Sequence, residues 1–227
     1  INPPSWMSYS QSHERLYLGY NNGKITYFDS NSNTEKHFLS LALGVKGLLA
    51  SGDYLFAADS SGSWNTHYLI DASGTVTSSE DWRKTAQQYI YSALTNRIYH
   101  FRDGTSPNDI EWTEFDPDSG ILGNKGDSPY HGSTLYTKYP LRLNLAGDLI
   151  VNGAGQLVDG YSLEVHNSLS NYITDAAWFN NNTLITIDET SSNLQFWGNN
   201  FALESEYALN SEGFTRVLNL AGDIVLI

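Results

Sequence analysis

A repeat of short apolar runs constrains this 227-residue chain more than any other feature. The runs begin at Leu16, Tyr54, Ile98, Leu149, Leu184 and Ile224, which gives spacings of 38, 44, 51, 35 and 40 residues. One stretch, "LNLAGDLIV" at residues 143–151, returns almost unchanged as "LNLAGDIVL" at 218–226. Self-similarity at a period near forty residues indicates a repeat architecture.

Each repeat contains up to four strand-like segments, which we label A to D in chain order. An apolar A segment such as "VKGLLAS" precedes the repeating B run, an aromatic C segment such as "NTHYLID" follows it, and a more polar D segment comes last. Turn-forming clusters such as "NNGK" and "DPDSG" separate the segments, and no segment has a long helical periodicity. Four short antiparallel strands in about forty residues are typical of a β-propeller blade.

The sequence therefore predicts an all-β fold, a β-propeller with five four-stranded blades and the first two strands of a sixth. The expected blades are residues 5–43, 44–86, 87–133, 134–172 and 173–211, and the partial blade is 212–227. We expect a single propeller domain that belongs to a larger propeller of six to eight blades. We also expect a further propeller segment or a partner chain to complete the open edge.

One repeat resembles a known family. The stretch "RLYLGYNNGKITYFDSNSNTEK" has an apolar B strand, a short Gly/Asn turn, and a C strand that ends in Asp before a small polar turn. In these features it resembles the YVTN-type repeat of bacterial and archaeal surface propellers. The fourth and fifth blades depart from that pattern, because "SLEVHNS" and "QFWGNN" lack the Asp. The resemblance implies a secreted or cell-surface bacterial protein, and it does not imply a particular reaction.

Charge and cysteine content exclude several classes of function. The chain has 25 Asp and Glu against 12 Lys and Arg, a formal net charge of −13, which repels nucleic acid and anionic membrane surfaces. It has no cysteine, so disulfides, zinc–thiolate sites, iron–sulfur clusters and c-type haem are excluded. No apolar run has the length of a membrane span, and we expect no membrane insertion. Because the chain opens "INPPSW" without Met, we expect it to come from a longer protein.

Two sets of residues recur at fixed places in the repeats and predict structural roles. We expect the aromatic residues of the C strands to pack between blades, with a sugar-stacking platform as the alternative; they are Trp64, Trp112, Trp197, Tyr27 and Tyr161. Asp29, Asp71 and Asp116 end their C strands, where a carboxylate accepts backbone N–H groups and fixes the turn.

A third recurring set predicts a weak ligand site. Polar residues stand at the start of the B–C loops, which share one face of a propeller: Asn21, Asp59, Asp103, Asn152 and Asp188. One expectation is that these residues simply cap turns. The other is that they form a ring of oxygen ligands, either for a cation such as Ca²⁺ or for a polyhydroxylated molecule. Asp59, Asp103 and Asp188 are the candidate metal ligands, and no other cofactor is expected.

The third blade has the longest connections, "RDGTSPND" and "DSPYHGSTLYTKY". Insertions on a repeat scaffold collect on the functional face. We therefore predict a carbohydrate or peptide pocket built from Arg102, Asp103, Asp109, Tyr130 and His131, joined by Trp82 and Arg83 from the preceding loop. The alternative is an Arg–Asp pair that only holds a long loop in place.

Three functions are compatible with these features of the sequence. The first is a non-enzymatic binding, adhesion or assembly module for a protein or carbohydrate ligand. The second is a metal-assisted, lactonase- or lyase-like propeller enzyme, although no H-E-x-x-H, H-x-x-E-H or G-x-S-x-G motif supports it. The third is a structural subunit completed by another chain.

Overall fold

All regular secondary structure that the structure describes is β. The structure is a computed structural model, and it describes residues 3–61, 65–82, 86–102, 108–131, 134–180, 183–209 and 213–227. The strands form five four-stranded antiparallel sheets and one two-stranded sheet, each with its strands in chain order. Within these residues no helix is long and apolar enough to span a membrane.

The first three sheets follow one another along the first half of the chain. Their strands are β1 (Trp6–Ser10), β2 (Arg15–Gly19), β3 (Lys24–Asp29) and β4 (Thr34–Ser40); β5 (Val45–Ser51), β6 (Tyr54–Asp59), β7 (Asn65–Asp71) and β8 (Val76–Trp82); and β9 (Tyr89–Ser92), β10 (Arg97–Arg102), β11 (Asp109–Asp116) and β12 (Ile121–Asp127).

The remaining sheets follow in the same manner. Their strands are β13 (Leu141–Leu143), β14 (Leu149–Asn152), β15 (Gln156–Asp159) and β16 (Val165–Ser168); β17 (Ile173–Trp178), β18 (Leu184–Asp188), β19 (Leu194–Trp197) and β20 (Leu203–Tyr207); and the pair β21 (Val217–Leu220) and β22 (Asp223–Leu226).

The chain forms two compact units. The first comprises Ile1–Ser106 and Glu111–Gly126, and the second comprises Pro107–Ile110 and Asp127–Ile227. Apolar side chains of successive sheets build the core of each unit, since the strands present their apolar faces to the next sheet.

In the first unit, one apolar cluster joins the first and second sheets and another joins the second and third. The first cluster contains Tyr17, Ile25, Val45, Leu48, Leu55 and Ile70, and the other contains Phe56, Leu69, Tyr89, Ile98 and Phe115. Gly47 lets the ring of Tyr89 lie directly on the backbone, because a Cβ at position 47 would be 2.3 Å from that ring. Each Å² of apolar surface that this packing removes from water stabilises the folded state by about 25 cal/mol.

The second unit repeats this arrangement. Val151, Leu157, Ile173, Trp178, Leu184 and Trp197 pack between the fourth and fifth sheets, and Ile185, Ile187, Leu194 and Val217 pack between the fifth and sixth. Trp197 is buried, and its indole N–H donates to Thr186 Oγ1 at 2.9 Å.

The other predicted core aromatics have different environments. Tyr27 is half-buried beside the first cluster, whereas the Trp112 ring lies under the Arg97 guanidinium at 3.8 Å. Trp64 lies outside the described residues. The prediction for Tyr161 was wrong, because Tyr161 is in the turn after β15 and is 54% exposed.

The fourth blade also differs from its predicted layout. Its C strand is β15, the "QLVD" segment that ends in Asp159, and not "GYSLEV". Asp159 Oδ1 accepts the N–H groups of Tyr161 and Ser162 at 3.0 and 2.7 Å, so the C strand ends at Asp159, before the segment that was expected to form it. The fourth blade therefore does have an Asp at the end of its C strand.

The predicted role of the C-strand aspartates in the first three blades is confirmed. Asp29, Asp71 and Asp116 each accept the backbone N–H two residues further along, at 3.0, 2.8 and 2.9 Å. These bonds favour the ionised carboxylate. The Lys36 ammonium and the turn N–H groups hold the pKa of Asp29 at about 2, and the Ser73 hydroxyl and turn N–H groups lower the pKa of Asp71.

The two "NLAGD" copies form different turns. In the first, Asn144 Oδ1 accepts the N–H groups of Gly147, Asp148 and Leu149 at 2.9 to 3.1 Å across a five-residue connection. In the second, β21 and β22 are joined by only Ala221 and Gly222, which have φ of 54° and 97°. Positive φ at both central residues is the pattern of a type I′ hairpin. Glycine permits both turns, as the sequence indicated, since Gly147 also has a positive φ of 88°.

Candidate functional site

Three residues of the predicted blade-3 pocket, Asp109, Tyr130 and His131, belong to one group of side chains in the second unit, which we call the Asp109 cluster. It consists of Asp109, Asp127, Ser128, Tyr130 and His131. Asp109 begins β11 and Asp127 ends β12, and these strands are neighbours in the third sheet. The Ser128 N–H donates to Ile110 O at 3.0 Å, which brings the chain that leaves β12 back against the start of β11.

Hydrogen bonds fix the buried part of the Asp109 cluster. Asp109 is fully buried. Its Oδ1 accepts the Ser128 hydroxyl and the Ile110 N–H at 2.8 Å. Tyr130 donates its N–H to Ser128 Oγ at 3.3 Å, and its hydroxyl accepts the Val165 N–H at 2.9 Å. The tyrosine is therefore held by the fourth sheet and is engaged in packing the loop.

His131 completes the cluster on its exposed side. Its Nδ1 lies 3.7 Å from Asp109 Oδ2 and 4.0 Å from Asp127 Oδ2. The backbone of His131 has φ of 47°, a conformation that few non-glycine residues adopt. One imidazole nitrogen and two carboxylates thus meet at the edge of the third sheet.

The other residues predicted for this pocket belong to the first unit or lie outside the described part of the chain. Arg102 belongs to the first unit, where its Nη1 pairs with the buried Glu111 at 3.1 Å. Trp82 ends β8, also in the first unit, and its side chain lies outside the described residues. Asp103 and Arg83 lie outside them too. A pocket that joins all seven residues therefore remains a prediction.

Asp59, Asn152 and Asp188, three members of the predicted ring at the B–C loops, cap turns; Asn152 Oδ1 accepts the Ala154 and Gln156 N–H groups at 3.0 Å. Asp59 Oδ1 accepts the Ser61 N–H at 2.9 Å and its Oδ2 accepts the Leu43 N–H at 3.2 Å. Asp188 Oδ1 accepts the N–H groups of Thr190 and Ser191 at 2.9 and 2.6 Å. These bonds occupy the oxygens that a cation would use. Calcium binding by Asp59, Asp188 and Asp103, the last outside the described residues, stays a prediction.

An apolar groove crosses the first strands of the last three sheets, and sequence reasoning missed it. The groove has a volume of about 240 Å³ and lies within the second unit. Ala176 and Ala177 belong to its central strand, and the other lining residues are Arg142, Leu143, Leu145, Trp178, Val217, Leu218, Asn219 and Leu220. Leu145 and Leu220 are 66% and 55% exposed. Both are the leucine of "NLAGD", so the repeated motif was itself the signal that could have predicted this surface.

A buried ion pair holds the three strands of the groove together. Arg142 Nη2 donates to Asp175 Oδ1 at 2.5 Å, and Asp175 Oδ2 accepts the Val217 N–H at 3.0 Å. Burial lowers the pKa of Arg142, although the Asp175 carboxylate opposes this shift. Because one carboxylate links β13, β17 and β21, the exposed leucines are presented on a rigid support.

A second buried polar group lies in the first unit. His67 Nε2 is 3.0 Å from Tyr89 Oη, and Asn65 Nδ2 donates to the same hydroxyl at 3.2 Å. Burial, with smaller contributions from His100 and Lys125, holds the pKa of His67 well below its ordinary value of 6.5. The neutral imidazole therefore belongs to the core of this unit.

Comparison with known proteins shows the fold and no closer relationship. No protein-family model matches the sequence, and no curated protein matches it. Three solved structures are similar to it in fold. A chain of the mitotic checkpoint complex has a TM-score of 0.68 and 14% identity, over 93% of this chain and 70% of that one.

The other two similar structures are β-propeller domains. The WD40 β-propeller domain of Doa1 has a TM-score of 0.67 and 12% identity, over 97% of this chain and 73% of that one. The β-propeller domain of Cps50 (Swd1) from Myceliophteria thermophila has a TM-score of 0.58 and 10% identity, over 96% of this chain and 90% of that one. The prediction of a β-propeller with five blades and part of a sixth is confirmed.

Proposed function

We propose that this propeller is a non-enzymatic module that binds a partner protein through the apolar groove of its second unit. The observation that carries the proposal is the exposure of Leu145, Leu218 and Leu220 around a groove supported by a buried ion pair. Exposed apolar surface of this kind marks interaction sites, whereas scattered exposed leucines do not.

The size of the groove and the net charge of the whole chain select the occupant that we propose. At about 240 Å³ it is smaller than the pockets that enclose drug-sized ligands, so it suits the apolar side chains of an extended peptide. The chain has a formal net charge of −13, which attracts basic segments and repels acidic ones. The occupant that we propose is therefore an extended protein segment with leucine or aromatic side chains between lysines and arginines.

The fold comparisons support an assembly role in a general way. One of the similar chains is part of the mitotic checkpoint complex, which is an assembly of proteins. The two-stranded sheet β21–β22 gives a second place for a partner, because no strand lies on the outer side of β22 among the residues that the structure describes. A strand from elsewhere in the protein, or from a partner chain, would pair with that edge.

The binding proposal can be tested with synthetic peptides. A labelled peptide with two leucines between lysines should bind the protein in a fluorescence anisotropy titration, and a counterpart with glutamates in place of the lysines should not. The double variant Leu145→Asp, Leu220→Asp should lose most of the affinity, because each change puts a charge into the apolar groove. The matched control is Leu94→Asp, since Leu94 is 51% exposed in the first unit.

Two results would contradict the proposal. One is that no basic apolar peptide binds. The other is that the Leu94→Asp control loses affinity as much as the groove variant does. Binding of a glycan that is unchanged by the groove substitutions would instead favour the carbohydrate ligand.

The setting that we propose is the exterior of a bacterial cell, as a secreted or surface-attached adhesion module. The support for it is the resemblance of "RLYLGYNNGKITYFDSNSNTEK" to YVTN-type repeats. Labelling of intact cells with a membrane-impermeant amine reagent should modify the protein at its lysines. Labelling only after lysis would refute the surface location.

A further inference from the structure

Three donor atoms of the Asp109 cluster lie close to one another. One carboxylate oxygen from Asp109, one from Asp127 and a ring nitrogen of His131 all lie within 4.8 Å of one another. All three residues belong to the second unit, and none of them lines the apolar groove or is a member of the ring predicted at the B–C loops.

The distances around His131 are too long for hydrogen bonds. His131 Nδ1 is 3.7 Å from Asp109 Oδ2 and 4.0 Å from Asp127 Oδ2, whereas hydrogen bonds to nitrogen span about 2.7–3.2 Å. Ligands that share a tetrahedral ion at about 2.0–2.1 Å are roughly 3.3–3.4 Å apart. Small rotations of the two exposed side chains would bring all three donors to that separation.

Burial and hydrogen bonding prepare Asp109 to act as the fixed ligand. Its carboxylate is fully buried, and the Ser128 hydroxyl and the Ile110 N–H both bond to Oδ1, while Oδ2 is the oxygen nearer His131. Hydrogen-bonded carboxylates of this kind orient the ligand atom in metal sites. Ser128, itself buried, receives the Tyr130 N–H, so the loop that carries His131 is attached to the same network.

From this geometry we propose that Asp109, Asp127 and His131 bind one divalent transition-metal ion, with Zn²⁺ as the best fit. Imidazole nitrogen suits zinc and its neighbours, while calcium takes six to eight oxygen ligands, which this set does not offer. Water fills the remaining position. The ion offsets the repulsion between the two carboxylates and fastens the loop after β12 to the start of β11.

Titration calorimetry of tag-free, chelator-treated protein with ZnCl₂ tests the proposal. We expect one saturable site per chain, and affinity at least tenfold weaker in Asp127→Asn and in His131→Gln, because each variant removes a ligand. Asp127 and His131 side chains are 41% and 65% exposed, so both variants should fold, which circular dichroism checks. Zn²⁺ should raise the thermal unfolding midpoint of the unsubstituted protein and should raise it less in either variant.

The matched control is the surface pair His13 and Asp53, whose Nε2 and Oδ1 are 3.4 Å apart in the first unit. His13→Gln should leave Zn²⁺ affinity unchanged. Absence of saturable binding would overturn the proposal, as would equal affinity in the unsubstituted protein and both cluster variants. Preference for Ca²⁺ over Zn²⁺ would overturn the assignment of the ion. The peptide titrations test the groove separately, and their outcome does not depend on whether Zn²⁺ binds to the Asp109 cluster.

Discussion

At the scale of single residues, buried polar side chains distinguish this propeller from a simple apolar stack. His67 is 1% exposed in β7, and its ring lies edge-on to Phe56 and Tyr89, with centroids 5.2 and 5.3 Å away. A protonated imidazole in this place would need solvation that the core does not give. The sequence showed only a histidine in a strand, since strand alternation does not reveal what the next sheet places against it.

We predict that acid destabilises the first unit through His67. The pKa of His67 is lowered in the folded state and is about 6.5 in the unfolded chain. The unfolded state therefore binds more protons, and the free energy of unfolding falls as the pH drops below about 6.5, by up to ~1.4 kcal/mol per pH unit. Urea unfolding at pH 7 and pH 5.5 measures this loss.

The His67→Gln variant should show a smaller loss between the two pH values, because its side chain does not titrate. The exposed His37, which hydrogen-bonds to Ser40 at 3.2 Å, gives the control: His37→Gln should keep the full pH dependence. An unchanged dependence in His67→Gln would refute this account of acid sensitivity.

At the scale of elements, one pentapeptide forms two turns. "NLAGD" connects β13 to β14 through a turn capped by Asn144, and it connects β21 to β22 through Ala221 and Gly222 alone. In the second copy Asn219 Oδ1 accepts the Gly222 N–H at 3.0 Å, and its Nδ2 donates to Trp178 O and Phe179 O at 3.1 and 2.9 Å. Contacts with the neighbouring sheet thus determine which turn the same residues adopt.

We predict that Ala221→Asn stabilises the β21–β22 hairpin and that Ala146→Asn does not stabilise its counterpart. Ala221 has φ of 54°, which costs an alanine about 1–2 kcal/mol and which asparagine tolerates better. Ala146 is not among the residues with positive φ. We expect amide hydrogen exchange in β21 and β22 to slow roughly two- to fivefold, for a gain of about 0.5–1 kcal/mol.

Hydrogen exchange read by mass spectrometry resolves these peptides from the rest of the chain. The Ala146→Asn protein is the sequence-matched control for the turn. Equal effects at both positions would show that the φ difference between the two copies does not control hairpin stability.

At the scale of the whole molecule, excess negative charge opposes compactness. The chain has 25 acidic and 12 basic side chains. Ion pairs such as Lys138–Glu189 at 2.7 Å join some of them at the surface, but exposed pairs contribute little, about 0–1 kcal/mol each. The remaining charge repels itself, and it is the reason why we propose a basic partner.

We predict that salt stabilises the protein. Raising the ionic strength from a low value to about 0.15 M shortens the Debye length to about 8 Å, so the thermal unfolding midpoint should increase. The triple variant Glu14→Gln, Asp118→Asn, Glu164→Gln changes three exposed carboxylates and should respond less to salt. A midpoint that falls with salt would show that surface ion pairs outweigh the general repulsion.

The fold class, the order of the strands and the aspartate-capped turns could all be predicted from the sequence. These features are local or periodic: apolar runs recur near every forty residues, and Asp29, Asp71 and Asp116 accept N–H groups only two residues away. Around Asp159 and Tyr161 the C strand of the fourth blade was predicted in the wrong place, because both "QLVD" and "GYSLEV" have the pattern of a strand.

Which side chains meet could not be predicted in this way, because it depends on how the sheets pack. Asp109 and His131 were expected together, and Asp127 joins them because β11 and β12 are paired; the ion pair of Arg102 with Glu111 was not expected. Leu145 and Leu220 line one groove although 75 residues separate them, since β13, β17 and β21 lie along it and are linked through Asp175. Periodicity specifies the strands of each sheet, and the packing of one sheet on the next then determines which of their side chains form a site.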